Sequence, residues 1–419
     1  MCQNRGKEVI SAFADSNPPT NTNHSEADCR QRGLSLWTSP AWRMFWLSVG
    51  LVAVQRLLLL VAAVHQSVQR HLPLGLRQLF IGGYAHWDSS WFIQIAQNGY
   101  TRELQTAFWP LYPAMMHMLH LFSGISYRAT GVAVSLVFFV AALQWFGLAV
   151  AEVFDRKTAY LAMTLLAFFP TSYYFVAVYS ESLFIALSAA VLYFARVQRF
   201  GFASMAVLLA ALTRNTGILL VGVLAVEVVR SQGNGWRFWT GQWWKVAKWT
   251  WLSVLWPILG LSLYLFWLHL RFHHFLAFLT AEHHWKRHFM WPWWSFEQTL
   301  HKLFTASLGP WYRQYYSLEA ASFLFALVGI VLGWKYIRLS ATQVAWWLYL
   351  VLVTFVAATD PSARDYLLSF PRFALMLLPA FAFLAAWLRP RWLQGLVLFV
   401  FAVTLYHLGG LFYIGRWIA

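Results

Sequence analysis

The residues best suited to chemistry stand in the run His86-Trp87-Asp88-Ser89-Ser90-Trp91-Phe92, just beyond the first long apolar stretch of the chain. Asp and Glu together number only 15 in 419 residues. A carboxylate between two indoles at a membrane boundary can accept a proton from a sugar hydroxyl while aromatic faces hold sugar rings. Asp88 also suits a helix N-cap, a role worth about 1 kcal/mol that needs no chemistry. The two roles are compatible, because a cap fixes the base where a helix begins.

Other polar residues interrupt apolar sequence. Glu181, in Tyr179-Ser180-Glu181-Ser182, either pairs with a cation such as Arg214 or orients a sugar or an active-site cation, since buried charge demands a partner or a wet cavity. Arg214 and Asn215 break the stretch 203–229, and Gln55 and Arg56 break the first one. The planar guanidinium donates several hydrogen bonds and suits phosphate, with buried ion pairing as the plainer reading. The run Glu282-His283-His284-Trp285-Lys286-Arg287-His288 concentrates cations. His284 and His288 have the spacing of a helical zinc pair, but no second ligand motif accompanies them. A phosphate cradle of His284, Lys286 and Arg287 fits better, with headgroup contact as the alternative. Arg372, in Ser369-Phe370-Pro371-Arg372-Phe373, either snorkels at a helix end or reaches a phosphate. The aromatic and proline-rich run 108–113 reads as a kinked helix entrance rather than a binding surface.

The elements that must position these groups are membrane helices. Hydrophobic residues make up 60% of the chain, charged residues 11%, and there are 26 Trp and 35 Phe, which excludes an ordinary soluble domain. Crossing roughly 30 Å of hydrocarbon takes about 20 apolar residues in a helix. The chain offers candidate segments at 44–64, 107–123, 130–152, 157–177, 181–197, 203–229, 247–270, 319–337, 342–358, 372–388 and 392–413. Continuous rather than alternating apolarity makes them helices, not barrel strands. The net charge of +16 lies mostly in short connections, at Arg156, Lys157, Arg196, Arg199, Lys335, Arg338, Arg389 and Arg391. That pattern is orientation charge on inner loops. A nucleic-acid partner would need a contiguous basic face on a soluble domain instead.

Residues 1–40 read as a disordered cytoplasmic tail without a signal peptide, and both cysteines, Cys2 and Cys29, lie there. Residues 41–419 read as one membrane domain with outer loops 65–106, carrying Asp88, and 271–318. Segments 107–123 and 203–229 are poor spans; counting both gives eleven, treating both as re-entrant gives nine, and Asp88 stays outside either way. Within 89–99 the pattern predicts an interfacial helix, with Trp91, Phe92, Ile95 and Ala96 on its apolar face, Gln94, Gln97 and Asn98 on its wet face, and Gly99 as its stop.

Taken in order, Trp87-Asp88-Ser89 with Trp91, Ile95-Ala96 and Gly99-Tyr100, then Phe108-Trp109-Pro110-Leu111-Tyr112-Pro113, Phe169-Pro170, Tyr179-Ser180-Glu181-Ser182 and Arg214-Asn215-Thr216-Gly217, resemble the PIG-V mannosyltransferase family. That family includes the second mannosyltransferase of GPI-anchor synthesis and bacterial relatives. A looser match falls at Pro371-Arg372-Phe373 and Pro379. The family's Arg-Ser-Asn-Gly stands here as Arg214-Asn215-Thr216-Gly217, with the Asn displaced.

The resemblance implies an all-α GT-C glycosyltransferase fold of about eleven spans, a catalytic Asp on the first outer loop, a polyprenyl-phosphate sugar donor and no obligatory metal or other cofactor. It implies a multi-pass enzyme of a bacterial plasma membrane or endoplasmic reticulum, acting on the outer or lumenal face. The expected reaction is inverting transfer of mannose to a hydroxyl of a glycolipid or other acceptor. Asp88 would be the base; Trp87 and Trp91 would pack on sugar or prenyl. Glu181, Arg214, Asn215, Arg372, His284, Lys286 and Arg287 would complete the substrate site. A GT-C enzyme for another sugar, or a transporter without chemistry, are the competing readings; no internal repeat supports the transporter.

Overall fold

A computed structural model describes residues 40–231, 249–283, 288–305, 307–337, 340–359, 361–362 and 365–417. The expected tail with both cysteines, and His284, Lys286 and Arg287, lie outside them. Residues 44–419 form one compact unit. The described residues are helical and contain no strand.

Among the described residues, six helices are long and apolar enough to cross a membrane: α1 (Pro40–Gln69), α5 (Tyr127–Val153), α10 (Leu252–Phe272), α13 (Pro310–Tyr336), α14 (Ala341–Ala358) and α17 (Arg391–Tyr413). A seventh candidate is the pair α15 (Phe370–Phe373) and α16 (Leu378–Trp387), whose two limbs are bent by 71°. Many side chains on these helices face outward as bare hydrocarbon, among them Leu57, Val61, Val137, Leu263, Val331 and Phe399. Apolar surface of that extent belongs in lipid rather than water.

Every one of the eleven predicted segments contains helix, but five depart from a simple span, the bent pair in 372–388 among them. Segment 107–123 holds α4 (Leu111–Ser123), 157–177 holds α6 (Arg156–Ala167), 181–197 holds α7 (Glu181–Arg196), and 203–229 is split into α8 (Phe200–Ala211) and α9 (Leu220–Ser231). None of these helices alone reaches the length a crossing needs. Pro170 supplies no backbone N–H and α6 ends three residues before it. The next stretch, 171–180, is non-α-helical yet wholly buried. Such backbone survives at membrane depth only where protein satisfies its polar groups. Here Gln55 Nε2 donates to the Ser172 carbonyl at 3.0 Å, Ser135 Oγ to that of Ala177 at 2.7 Å, and Ser182 Oγ to that of Phe175 at 2.8 Å.

The break in 203–229 falls where Arg214 and Asn215 predicted it. The turn after α8 folds back so closely that a Cβ on Gly217 would lie 2.3 Å from the Ala210 carbonyl carbon, so glycine alone fits. The connection holding Asp88 begins later than expected, because α1 runs on to Gln69, and it contains the short helix α2 (Leu76–Phe80) and α3 (Ser89–Asn98). The later connection is also shorter, since α13 begins at Pro310; it holds α11 (Ala277–His283) and α12 (Pro292–Thr305).

Candidate functional site

Helix α3 has the faces its sequence predicts. Phe92, Ile95 and Ala96 are buried, Trp91 is half-buried, and Gln94, Gln97 and Asn98 are exposed. Gly99 ends the helix at φ +68°, a conformation that glycine enters without a Cβ penalty. Asp88 occupies the N-cap position, but its side chain makes no capping bond. The capping expectation is therefore corrected. The carboxylate turns away from the helix because a stronger partner is at hand: Arg372 Nη1 donates to Asp88 Oδ2 at 2.7 Å.

Tyr179 holds the Asp88 loop in place. Its hydroxyl donates to the His86 carbonyl at 3.2 Å and accepts the Asp88 N–H at 3.3 Å. The Val178 N–H donates to the Tyr84 carbonyl at 2.9 Å. The non-helical stretch before α7 is thus the platform for the loop. The His86 imidazole is half-buried with Nε2 3.1 Å from the Tyr413 carbonyl oxygen. Burial, and then the cation of Arg128, lower its pKa below 6.5 against the opposing bond to Tyr413.

Arg372 is a strut between two acids. While Nη1 takes Asp88, Nε and Nη2 lie 2.9 Å and 2.8 Å from Glu181 Oε1. Arg214 Nη1 reaches the same oxygen at 3.1 Å. The Arg372 guanidinium also stands 4.7 Å from the Tyr179 ring centre and 5.2 Å from that of Tyr174. Glu181 is fully buried, whereas the Asp88 side chain keeps 26% of its surface exposed. Glu181 thus pairs with Arg214, the plainer reading offered for it, and with Arg372 as well. Arg372 does not snorkel; all three of its nitrogens are taken by carboxylates. Ser369, at φ +61°, turns the chain into α15 so that the arginine points inward, and Thr171 donates to the Pro371 carbonyl at 2.8 Å.

Asp88, Arg214, Asn215 and Arg372 line one open cavity of about 180 Å³. Its wall also contains Phe108, Trp109, Ser180, Thr213, Phe373 and Trp417. The structure thus brings four predicted residues to one space and sets Glu181 beneath it. Trp91 stands behind the wall, its ring stacked on Phe108 at 5.7 Å. Trp87 is 47% exposed and faces a neighbouring groove instead. Arg56 has no acidic partner among the described residues and lies outside the cavity; it donates to the Phe80 carbonyl at 2.8 Å and covers the Tyr84 ring at 4.1 Å.

Phe108 and Trp109 correct the reading of their run as a helix entrance alone. Pro110 does start α4, and the Leu111 N–H donates to the Leu212 carbonyl at 3.0 Å, which draws both aromatics to the break that carries Arg214. Their adjacency to two prolines was the available signal. Trp417 had none, being a lone aromatic far from any motif.

A family model described as mannosyltransferase (PIG-V) matches residues 63–235, which include Asp88, Glu181 and Arg214. GPI mannosyltransferase 2 of Drosophila melanogaster is 32% identical over 114 residues, a span covering 25% of each protein. The protein of the same name from Drosophila pseudoobscura pseudoobscura is 30% identical over 178 residues, 38% of this chain and 39% of that one. The chain thus spans well under half the length of these curated relatives. Among solved structures, ArnT from Cupriavidus metallidurans bound to undecaprenyl phosphate aligns with a TM-score of 0.51 at 12% identity, covering 88% of this chain and 77% of that one. At that identity the likeness is one of fold.

Proposed function

We propose that the chain, whose residues 63–235 match the PIG-V mannosyltransferase model, is a member of that family and transfers mannose, with inversion, from a polyprenyl-phosphate-mannose donor to a hydroxyl of a glycolipid or other acceptor. The reaction would take place on the outer or lumenal face of a multi-pass membrane protein. The observation that carries this reading is the partly exposed Asp88 carboxylate in the wall of a cavity that also contains Arg214. The fold neighbour ArnT was solved with undecaprenyl phosphate, which supports a lipid phosphate as the donor's carrier.

In the proposed step the acceptor oxygen forms a bond to the sugar C1 while the C1–O bond to phosphate breaks. The hydroxyl proton passes to Asp88, and the bonding pair leaves with the phosphate. Arg214 is the cation for that phosphate: only Nη1 is engaged in bonds among the described residues, and its side chain keeps 17% of its surface exposed. Fixed donors aimed at developing charge stabilise it without reorganisation. Arg372, saturated by acids, positions Asp88 rather than binding phosphate. Asn215 and Trp109 complete the donor side. No metal is required in this scheme, and the residues 284, 286 and 287 have no assigned part in it.

The test is transfer from radiolabelled polyprenyl-phosphate mannose by purified protein. Asp88→Asn is expected to lower transfer by roughly 10²–10⁴-fold, with EDTA leaving wild-type activity unchanged. Near-wild-type turnover by Asp88→Asn would remove the base from the scheme, and loss of activity in EDTA would remove its metal independence. Transfer of another sugar in place of mannose would keep the mechanism and change the donor.

A further inference from the structure

Beside the cavity lies a groove of about 460 Å³ lined by Trp87, Trp311, Gly415, Arg416 and Trp417. Small-molecule clefts occupy roughly 300–1,000 Å³. Trp417 lines both spaces, and Trp87 immediately precedes the proposed base, so the groove adjoins the cavity at Asp88. We infer that this groove is a platform for a pyranose ring of the acceptor, whose hydroxyl then reaches Asp88; the inference rests on the function proposed above.

Three elements build the platform. The Trp87 and Trp417 rings meet edge to face at 5.4 Å and 70°. Trp417 is carried by the turn after α17, which His86 engages at the Tyr413 carbonyl and Gly415 closes at φ +77°. Trp311 comes from the first turn of α13 and packs edge to face on Tyr312 at 4.7 Å. Indoles at a membrane interface often serve only as anchors. An anchor, however, needs no unusual backbone, and Trp87 is held at φ +55°. Strain of that kind gathers at functional positions.

The occupant follows from the chemistry of the lining. A pyranose has an apolar C–H face for an indole and hydroxyls for a hydrogen-bond donor. Arg416 is exposed, and its guanidinium makes no bond among the described residues, so its donors are open to such hydroxyls. A prenyl chain would leave those donors unused. The donor's lipid is therefore assigned to the Arg214 side, and the acceptor's sugar to the indoles.

Two measurements test the platform. The first is saturation-transfer NMR on the full chain in detergent with methyl α-glycosides of mannose, glucose and glucosamine, which requires no donor and no turnover. Wild-type protein should transfer saturation to the C–H face of at least one glycoside, and Trp311→Ala should lose that signal while Trp311→Tyr keeps it. The absence of signal for all three glycosides, or its persistence in Trp311→Ala, would overturn the platform. The second uses Trp87→Gly, which removes the indole and relieves the positive φ, so misfolding cannot account for its effect. Its KM for acceptor should rise about tenfold, with the KM for donor unmoved and the melting temperature unchanged or higher. An equal rise in donor KM would identify a prenyl site and refute the assignment. Failure of all transfer in wild type would defeat the proposed function alone, since glycoside binding is read without it.

Discussion

Two buried glutamate–arginine clusters sit at opposite ends of α7. At its start, Glu181 binds Arg372 and Arg214; near its last residue, Arg196, Glu227 pairs with Arg230, whose Nη2 donates to the Arg196 carbonyl at 2.9 Å. Fifteen residues of helix separate the ends by about 22 Å. Both glutamates are nearly or wholly inaccessible, and each has one carboxylate oxygen without a hydrogen-bond partner. A buried ion pair is thus no mark of chemistry in this fold. The Glu181 cluster differs in extending through Arg372 to a second acid that is partly exposed in a cavity wall. Among the described residues the Glu227 cluster has no such outlet, and it reads as a clasp between α9 and the end of α7.

That contrast can be broken most decisively at the acids. Asp88→Asn should lower transfer by roughly 10²–10⁴-fold, the usual contribution of a positioned base, while Glu227→Gln leaves turnover within roughly twofold. Equal losses in the two variants would erase the distinction. Arg372→Met leaves both Glu181 and Asp88 short of a cation and should destabilise the protein by about 3–5 kcal/mol, read as a fall in melting temperature in detergent. Arg230→Met strips one acid rather than two, so its fall should be smaller; the reverse order would argue against the strut. Arg214→Lys keeps charge but loses the planar fork, and should raise the KM for donor about tenfold without changing the fold.

The smallest effect is on pH. His86 has a folded pKa below its unfolded 6.5, so the unfolded chain binds the proton more readily. Its contribution to stability is complete above 6.5 and is lost as pH falls through the lower folded value. Wild-type melting temperature should therefore drop across that window, and His86→Gln should flatten the drop. A parallel slope in both proteins would assign the acid sensitivity elsewhere.

Much of the fold was legible because the code for it is local. The faces of α3, the stop at Gly99 and the break at Arg214 follow from residues within one or two turns. The helix boundaries in 157–177 were less so, since Pro170 ends α6 but the burial of 171–180 depends on Gln55 and Ser135. At the site, Asp88, Glu181 and Arg214 could be picked out as rare charges in apolar sequence. Their wiring could not. Arg372 lies 284 residues from Asp88, and nothing near either reveals that the arginine diverts the carboxylate from its helix cap. Trp87 and Trp91 flank Asp88 in sequence, yet the side chains that share its cavity include Phe108, Trp109 and Trp417, brought in by packing.

The strut has one more consequence. Asp88, Glu181, Arg372 and Arg214 carry, in their ordinary ionised forms, two negative and two positive charges, so this cluster of four is balanced in itself, with Glu282 a further acid on the cavity wall. In the proposed reaction the proton that neutralises Asp88 would strip Arg372 of one of its two counter-anions. The same event adds negative charge to the departing phosphate beside Arg214. Surplus positive potential would then arise in the cluster at the instant a leaving group first needs it, and would vanish again when Asp88 gives up the proton. The cluster would act as a field source gated by its own base.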